Sequence, residues 1–103
     1  MAPRSRLTPD AQDDLTEAVR WIWTDSPRAA RRLRQAIAGL AQHLGDHPMA
    51  GTRRPELASD PYRFAVVRGF HYGVVYNAST RPPTIVRIVH GARDLPEVLK
   101  DLQ

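Results

Sequence analysis

Two helix-start signals follow one another near the front of the chain, Thr8-Pro9-Asp10 and Ser26-Pro27. In each, a hydroxyl side chain able to accept from an orphan backbone N–H precedes a proline. Its missing donor costs nothing at the first helical position. Asp10, Asp13 and Asp14 place negative charge at the positive end of the first helix dipole. Ala11, Leu15, Ala18, Val19 and Ile22 recur at helical spacing, which predicts a helix over 9–24. Ala30, Leu33, Ile37, Leu40 and Leu44 then form a second apolar stripe, with Arg28, Arg31, Arg32, Arg34 and Gln35 around the remaining surface. Gly45 is expected to cap its C-terminus. So short a connection forces the two helices into an antiparallel hairpin.

After the hairpin the period changes. Residues 46–61 carry Pro48, Gly51, Pro55 and Pro61 and little periodicity, which reads as a loop with one short turn. From 62 onward the apolar residues alternate, predicting strands over 62–68, 72–77 and 84–90. Short connections through Gly69-Phe70 and residues 78–83 make an antiparallel meander. One sheet face is expected to carry Phe64, Val66, Tyr72, Val74, Tyr76, Val86 and Ile88 under the helices. The other carries Arg63, Val67, His71, Gly73, Val75, Arg87 and Val89, a mixed face with a small residue in its middle. Arg4–Leu7 is expected to add a short strand. Asp94-x-x-Glu97 opens a short C-terminal helix with Leu95, Val98, Leu99 and Leu102 on its apolar side. The expected fold is therefore α+β in the order β-α-α-β-β-β-α. A two-helix antiparallel hairpin packs on a small antiparallel β-sheet, in a single domain over residues 1–103.

Composition narrows the chemistry. There is no cysteine, which excludes disulfides, thiol catalysis, cysteine-ligated zinc and iron–sulfur clusters. No apolar run reaches the roughly 18 residues of a membrane span, and no secretory h-region is visible, so the expected location is cytoplasmic. The net charge is +4, and all but one of the fifteen cationic side chains is arginine, Lys100 being the exception. The excess lies in the second half. Arg53, Arg54, Arg63, Arg68, Arg81, Arg87 and Arg93 face only Glu56 and Asp60 there, which points to an acidic partner or nucleic acid. His43 and His47 have a metal-like spacing, but Gly45 and Pro48 break the helix and no third ligand is apparent, so no metal site and no cofactor are expected.

In order and motifs the chain resembles the RelE/ParE superfamily of type II toxin–antitoxin toxins, and the ParE branch in particular. The resemblance runs from Leu7 to Leu99. It rests on Ala11-x-x-Asp14-Leu15, on Pro27-x-Ala29-Ala30, and on Pro48-x-x-Gly51-x-Arg53-Arg54-x-Glu56-Leu57. It ends with Tyr72-Gly73-Val74-Val75-Tyr76 and, most specifically, Arg87-Ile88-Val89-His90-Gly91-Ala92-Arg93-Asp94. The resemblance implies a cognate ParD-like antitoxin whose C-terminal segment wraps and silences the toxin in a hetero-oligomer. It also implies DNA gyrase as the poisoned target. By charge complementarity the antitoxin segment should be acidic and amphipathic.

Two chemistries remain open at this point. A RelE-like, ribosome-dependent endoribonuclease would need a base, an acid and cationic clamps. Glu56, His90 and Arg87 or Arg63 are available for those roles. The match fails where ribonuclease members often carry arginine before the apolar pair of the middle strand, here Gly73. It fails again where some carry tyrosine after the last-strand histidine, here Gly91. Gyrase poisoning needs only a binding surface, for which Arg63, His71, Arg87, Arg93 and Trp21 are the candidates, and no catalytic residue. A non-toxic antitoxin-binding module is the third reading. Plainer roles stand beside these: His90 as a histidine whose ring nitrogens bond nearby backbone, Arg87 paired with Glu56 or Asp94, Tyr72 and Tyr76 as core. Trp21 and Trp23 are two apart on a helix and cannot both face inward; Trp21 is expected to be partly exposed and Trp23 to pack at the hairpin end.

Overall fold

A computed structural model describes residues 3–91 and 95–100. The order is β1 (Arg6–Leu7), α1 (Pro9–Asp25), α2 (Pro27–Asp46), β2 (Tyr62–Val67), β3 (Tyr72–Asn77), β4 (Thr84–His90) and α3 (Leu95–Leu99). Both start signals act as read. Thr8 Oγ1 accepts from the Ala11 N–H and Ser26 Oγ from the Ala29 N–H, each at 3.1 Å. Ser26 also donates its N–H to Ile22 O, ending α1, so one extended residue closes one helix and opens the next.

The sheet order is β1-β4-β3-β2. β2, β3 and β4 form the antiparallel meander, while β1 joins β4 in parallel and makes the sheet mixed. The hairpin covers one face. Ala11 and Ala18 of α1 and Leu33, Ile37, Ala41 and Leu44 of α2 bury against Val67, Val74, Tyr76, Ile85 and Ile88.

The face assignment departs from the sequence expectation at two places. Val67 belongs to the helix-covered core, whereas Phe64 faces the opposite side and Val66 is 77% exposed. Register explains this. β2 pairs Val67 with Tyr72 and Ala65 with Val74, and residues directly opposite in an antiparallel pair share a face. In β4, the register steps from Val75↔Arg87 to Tyr76↔Ile85 and leaves Val86 without an opposite residue. This bulge puts Ile85 with the helices and Val86 on the other side. The second face is partly a core of its own. Leu99 of α3 is fully buried with Val75 and Val89, and Leu57, Tyr62, Phe64, Val86 and Val98 surround them.

Gly45 is not a cap. α2 continues through it to Asp46 and ends at His47. A Cβ at Gly45 would collide with the Pro3 carbonyl and the Arg4 Cα, so the glycine lets the N-terminal segment cross the helix. The Asp94 capping reading, Ala92, Arg93 and Leu102 lie outside the described residues.

These contacts give opposite expectations for two glycines of one helix. Gly45→Ala should lower stability by about 1–2 kcal/mol despite alanine's better helix propensity, because backbone cannot move aside cheaply. Gly39 has nothing near its Cβ position, so Gly39→Ala should raise stability by about 0.5–1 kcal/mol. Chemical denaturation of both variants checks the pair.

Candidate functional site

The loop after α2 is pinned to the sheet before it reaches the second face. Tyr76, fully buried at the end of β3, donates its phenol O–H to Pro48 O and accepts from the Gly51 N–H, both at 2.8 Å. Gly51 is required there: a Cβ would lie 2.6 Å from the Tyr76 ring and its hydroxyl. Arg63 donates from Nη1 to Gly51 O at 2.8 Å and to Met49 O at 3.4 Å. Thr52 and Phe64 exchange backbone hydrogen bonds of 2.8 and 2.9 Å. The chain then turns over the sheet. Arg54 passes 6.0 Å above the Phe64 ring and meets Glu56 at 3.3 Å.

This path leaves an open groove of about 380 Å³ on the face opposite the hairpin. Thr52, Arg54, Phe64, Val66, His71 and Gly91 border it, and Gly73 lies at its floor. The groove exists because Gly73 has no side chain where its neighbours on the face carry valines. Its strand partner Val66 therefore stands over empty ground. Gly91, at φ 68°, turns the chain away at one end in the left-handed region that glycine tolerates best. The floor is apolar; Arg54 and His71 form a basic and polar rim.

A second, smaller notch lies on the helix side, between α1 and the free part of β4. Trp21 lines it at 76% exposure, with Glu17, Tyr72 and His90. The rings of Tyr72 and His90 are 4.9 Å apart. Burial, with the Glu17 carboxylate adding to it, raises the Tyr72 pKa above its ordinary value.

The structure separates the residues singled out from sequence. His71 reaches the groove. Arg63 does not; it clamps the loop from the helix side, opposite Tyr76. Arg87 forks onto Asp14 of α1, with Nε at 2.7 Å and Nη2 at 3.0 Å; of its two expected partners, Asp94 lies outside the described residues. Arg93 is outside the described residues. His90 is exposed, its ring against Tyr72, so it is not a buried anchor, and among the described residues its ring makes no backbone bond. Glu56 is exposed beside Arg54. His90 lines the notch beside α1, and Glu56 lines neither the notch nor the groove. Trp23 is half-exposed at the hairpin end, with the Arg31 guanidinium 6.0 Å from its ring. His43 and His47 bring their rings to 5.0 Å, and among the described residues no three histidines, cysteines or acids gather as a metal site. Arg54, Phe64 and Val66 were missed as groove residues. The signal was present in the odd–even pairing of β2 with β3, which puts Phe64 and Val66 on the face of Gly73.

The comparison with known families decides the identity. The family model for the ParE toxin of type II toxin–antitoxin system, parDE, matches residues 6–95. The chain belongs to the ParE toxin family. It is therefore the toxin component of a type II toxin–antitoxin system, and the family implies an antitoxin partner. No curated protein matches the chain. No described helix of this ParE-family toxin is long and apolar enough to cross a membrane.

The Tyr76 hydroxyl ties the groove-forming loop to the core, and its titration carries a signature. Burial raises its pKa, only partly offset by the Gly51 hydrogen bond and the nearby Arg63 charge. A folded-state pKa above the unfolded value of about 10 means stability that is intact below that value and is lost as pH rises through the folded one. Tyr76→Phe should cost about 1–3 kcal/mol at neutral pH, since it strands the Gly51 N–H and the Pro48 carbonyl. It should also flatten the alkaline loss, though Tyr72 keeps part of it. Urea midpoints across pH test both effects.

Proposed function

We propose that this ParE-family toxin works by binding alone. The groove over Gly73 receives an acidic, amphipathic segment of its ParD-like antitoxin, and the free toxin inhibits DNA gyrase in the cytoplasm. The supporting observation is the groove itself, an apolar floor with Val66 exposed and with Arg54 and His71 at its rim. The Arg54–Glu56 pair is solvent-exposed. Such pairs contribute little, so a partner carboxylate can displace Glu56 at small cost. Apolar side chains of the same segment would then cover Val66 and Phe64. The chain's net charge of +4 assists the encounter with an acidic partner.

Binding measurements against the cognate antitoxin test the docking. Val66→Asp should weaken the complex by at least about tenfold, because it puts a charge in the apolar centre of the contact. Arg54→Glu should weaken it by roughly fivefold to thirtyfold, with a shallower salt dependence than wild type. Unchanged affinity in both variants overturns the assignment of the groove.

The target is tested with purified gyrase, supercoiled plasmid and ATP. Cleaved DNA should accumulate with the toxin and disappear when antitoxin is added. The double variant Glu56→Gln with His90→Ala should keep its toxicity. Toxicity without gyrase cleavage, lost in that double variant while antitoxin binding persists, would instead assign ribonuclease chemistry on the ribosome.

A further inference from the structure

We infer that the notch between α1 and β4 is a receptor for one cationic side chain, an arginine or lysine presented by a protein partner. Glu17 and Trp21 stand one turn apart on α1, and Tyr72 and His90 face them from β3 and β4. Two aromatic rings, Trp21 and Tyr72, beside one carboxylate are the composition that recognises a guanidinium or ammonium: the ring faces attract the cation and the carboxylate supplies the counter-charge, while His90 packs against the Tyr72 ring.

The charges around the notch are unevenly committed. Asp14, at its inner end, already accepts from Arg87 and from the Ile88 N–H. Glu17 makes no ion pair among the described residues. The two exposed tryptophans differ in the same way. Trp23 has the protein's own Arg31 over its ring. Trp21 is 76% exposed and, among the described residues, carries no such cation, although the chain is rich in arginine. With Asp14 compensated by Arg87, Glu17 is the unpaired charge that an incoming group meets among the described residues, so charge complementarity selects a cation over a phosphate or an acidic segment. The notch lies on the helix side of the sheet and the groove over Gly73 on the other, so this reading stands whether or not the antitoxin segment uses that groove.

The two tryptophans supply an internal control. The ¹⁵N-labelled full chain, titrated with N-acetyl-arginine methylamide, should show the Trp21 indole N–H resonance moving with a Kd on the order of ten millimolar, while that of Trp23 stays in place. The neutral isostere N-acetyl-citrulline methylamide should leave Trp21 unmoved. Glu17→Gln, an exposed and charge-only change, should weaken the arginine effect by about threefold with the melting temperature unaltered. The assignment is overturned by no shift at Trp21, by citrulline acting as well as arginine, by Trp23 moving in step, or by indifference to Glu17→Gln.

Discussion

The Asp14 carboxylate joins the two layers of the molecule at the point where the sheet runs out of strands. β1 pairs with β4 only as far as Ile85, so among the described residues the rest of β4 has no neighbouring strand on that side. Unpaired strand edges invite pairing with other chains. Here α1 supplies side chains in place of a strand. Thr8 donates its N–H to Ile85 O and its hydroxyl to Val86 O. Asp14 then accepts from the Ile88 N–H at 2.9 Å and from the Arg87 fork. The pair is mostly sheltered, with the two side chains 15% and 28% exposed. Removing either partner would leave a half-buried charge without its main compensation, which costs far more than the pair itself is worth. Thr8 works in both directions at once, as the N-cap of α1 and as an edge partner of β4. The helix start and the strand edge therefore fix one another, and α2 follows from α1 because a single residue joins them.

That lock has a functional consequence. It ties Arg87 to α1, and the groove is bordered by residues that the sheet register selects, Arg87 not among them. β2 and β3 pair in odd-to-even register, so Gly73 faces the same way as Phe64 and Val66. A glycine at the middle of a strand costs entropy and packs nothing. Here it opens a cavity between residues that would otherwise form one continuous apolar face with Val75 and Val89. The loop that borders the cavity is ordered from the opposite face. Tyr76 and Arg63 hold its carbonyls on the helix side, and the chain then crosses to deliver Arg54. The groove is thus assembled from both faces of one sheet.

What the sequence discloses divides along the range of the interactions. Helix starts at Thr8-Pro9 and Ser26-Pro27, the stripe from Ala30 to Leu44 and the three alternating segments are local signals, and each becomes the element it predicts. The face of β2 was also legible, since the connection to Tyr72 fixes odd–even pairing, but alternation considered strand by strand puts Phe64 and Val66 on the wrong side. The bulge at Val86 leaves no mark in composition. Gly45 reads as a cap because glycine is common there; its actual reason, the crossing of Pro3 and Arg4, is contact with a segment some forty residues earlier in the chain. Asp14, which Arg87 binds, lies 73 residues away, and several acids were equally eligible until topology brought α1 beside β4.

The same limit governs the reading of charge. Seven arginines between 53 and 93 suggest a broad cationic surface. Several of them are taken up by the chain's own acceptors. Arg63 and Arg81 bind loop carbonyls, and Arg87 binds Asp14. An arginine that saturates carbonyl groups orders a loop and projects little field toward a partner. The steering charge on the β2 side falls to Arg53 and Arg54, whose ion pairs are exposed, and to Arg68, exposed near the turn that carries His71. The carboxylate of Glu17, without an ion pair among the described residues, lies across the sheet from them. A net charge of +4 therefore describes a polarised molecule, basic where the groove opens and locally acidic beside Trp21. A partner that engages both surfaces must carry both signs of charge, each on the segment that meets the opposite one.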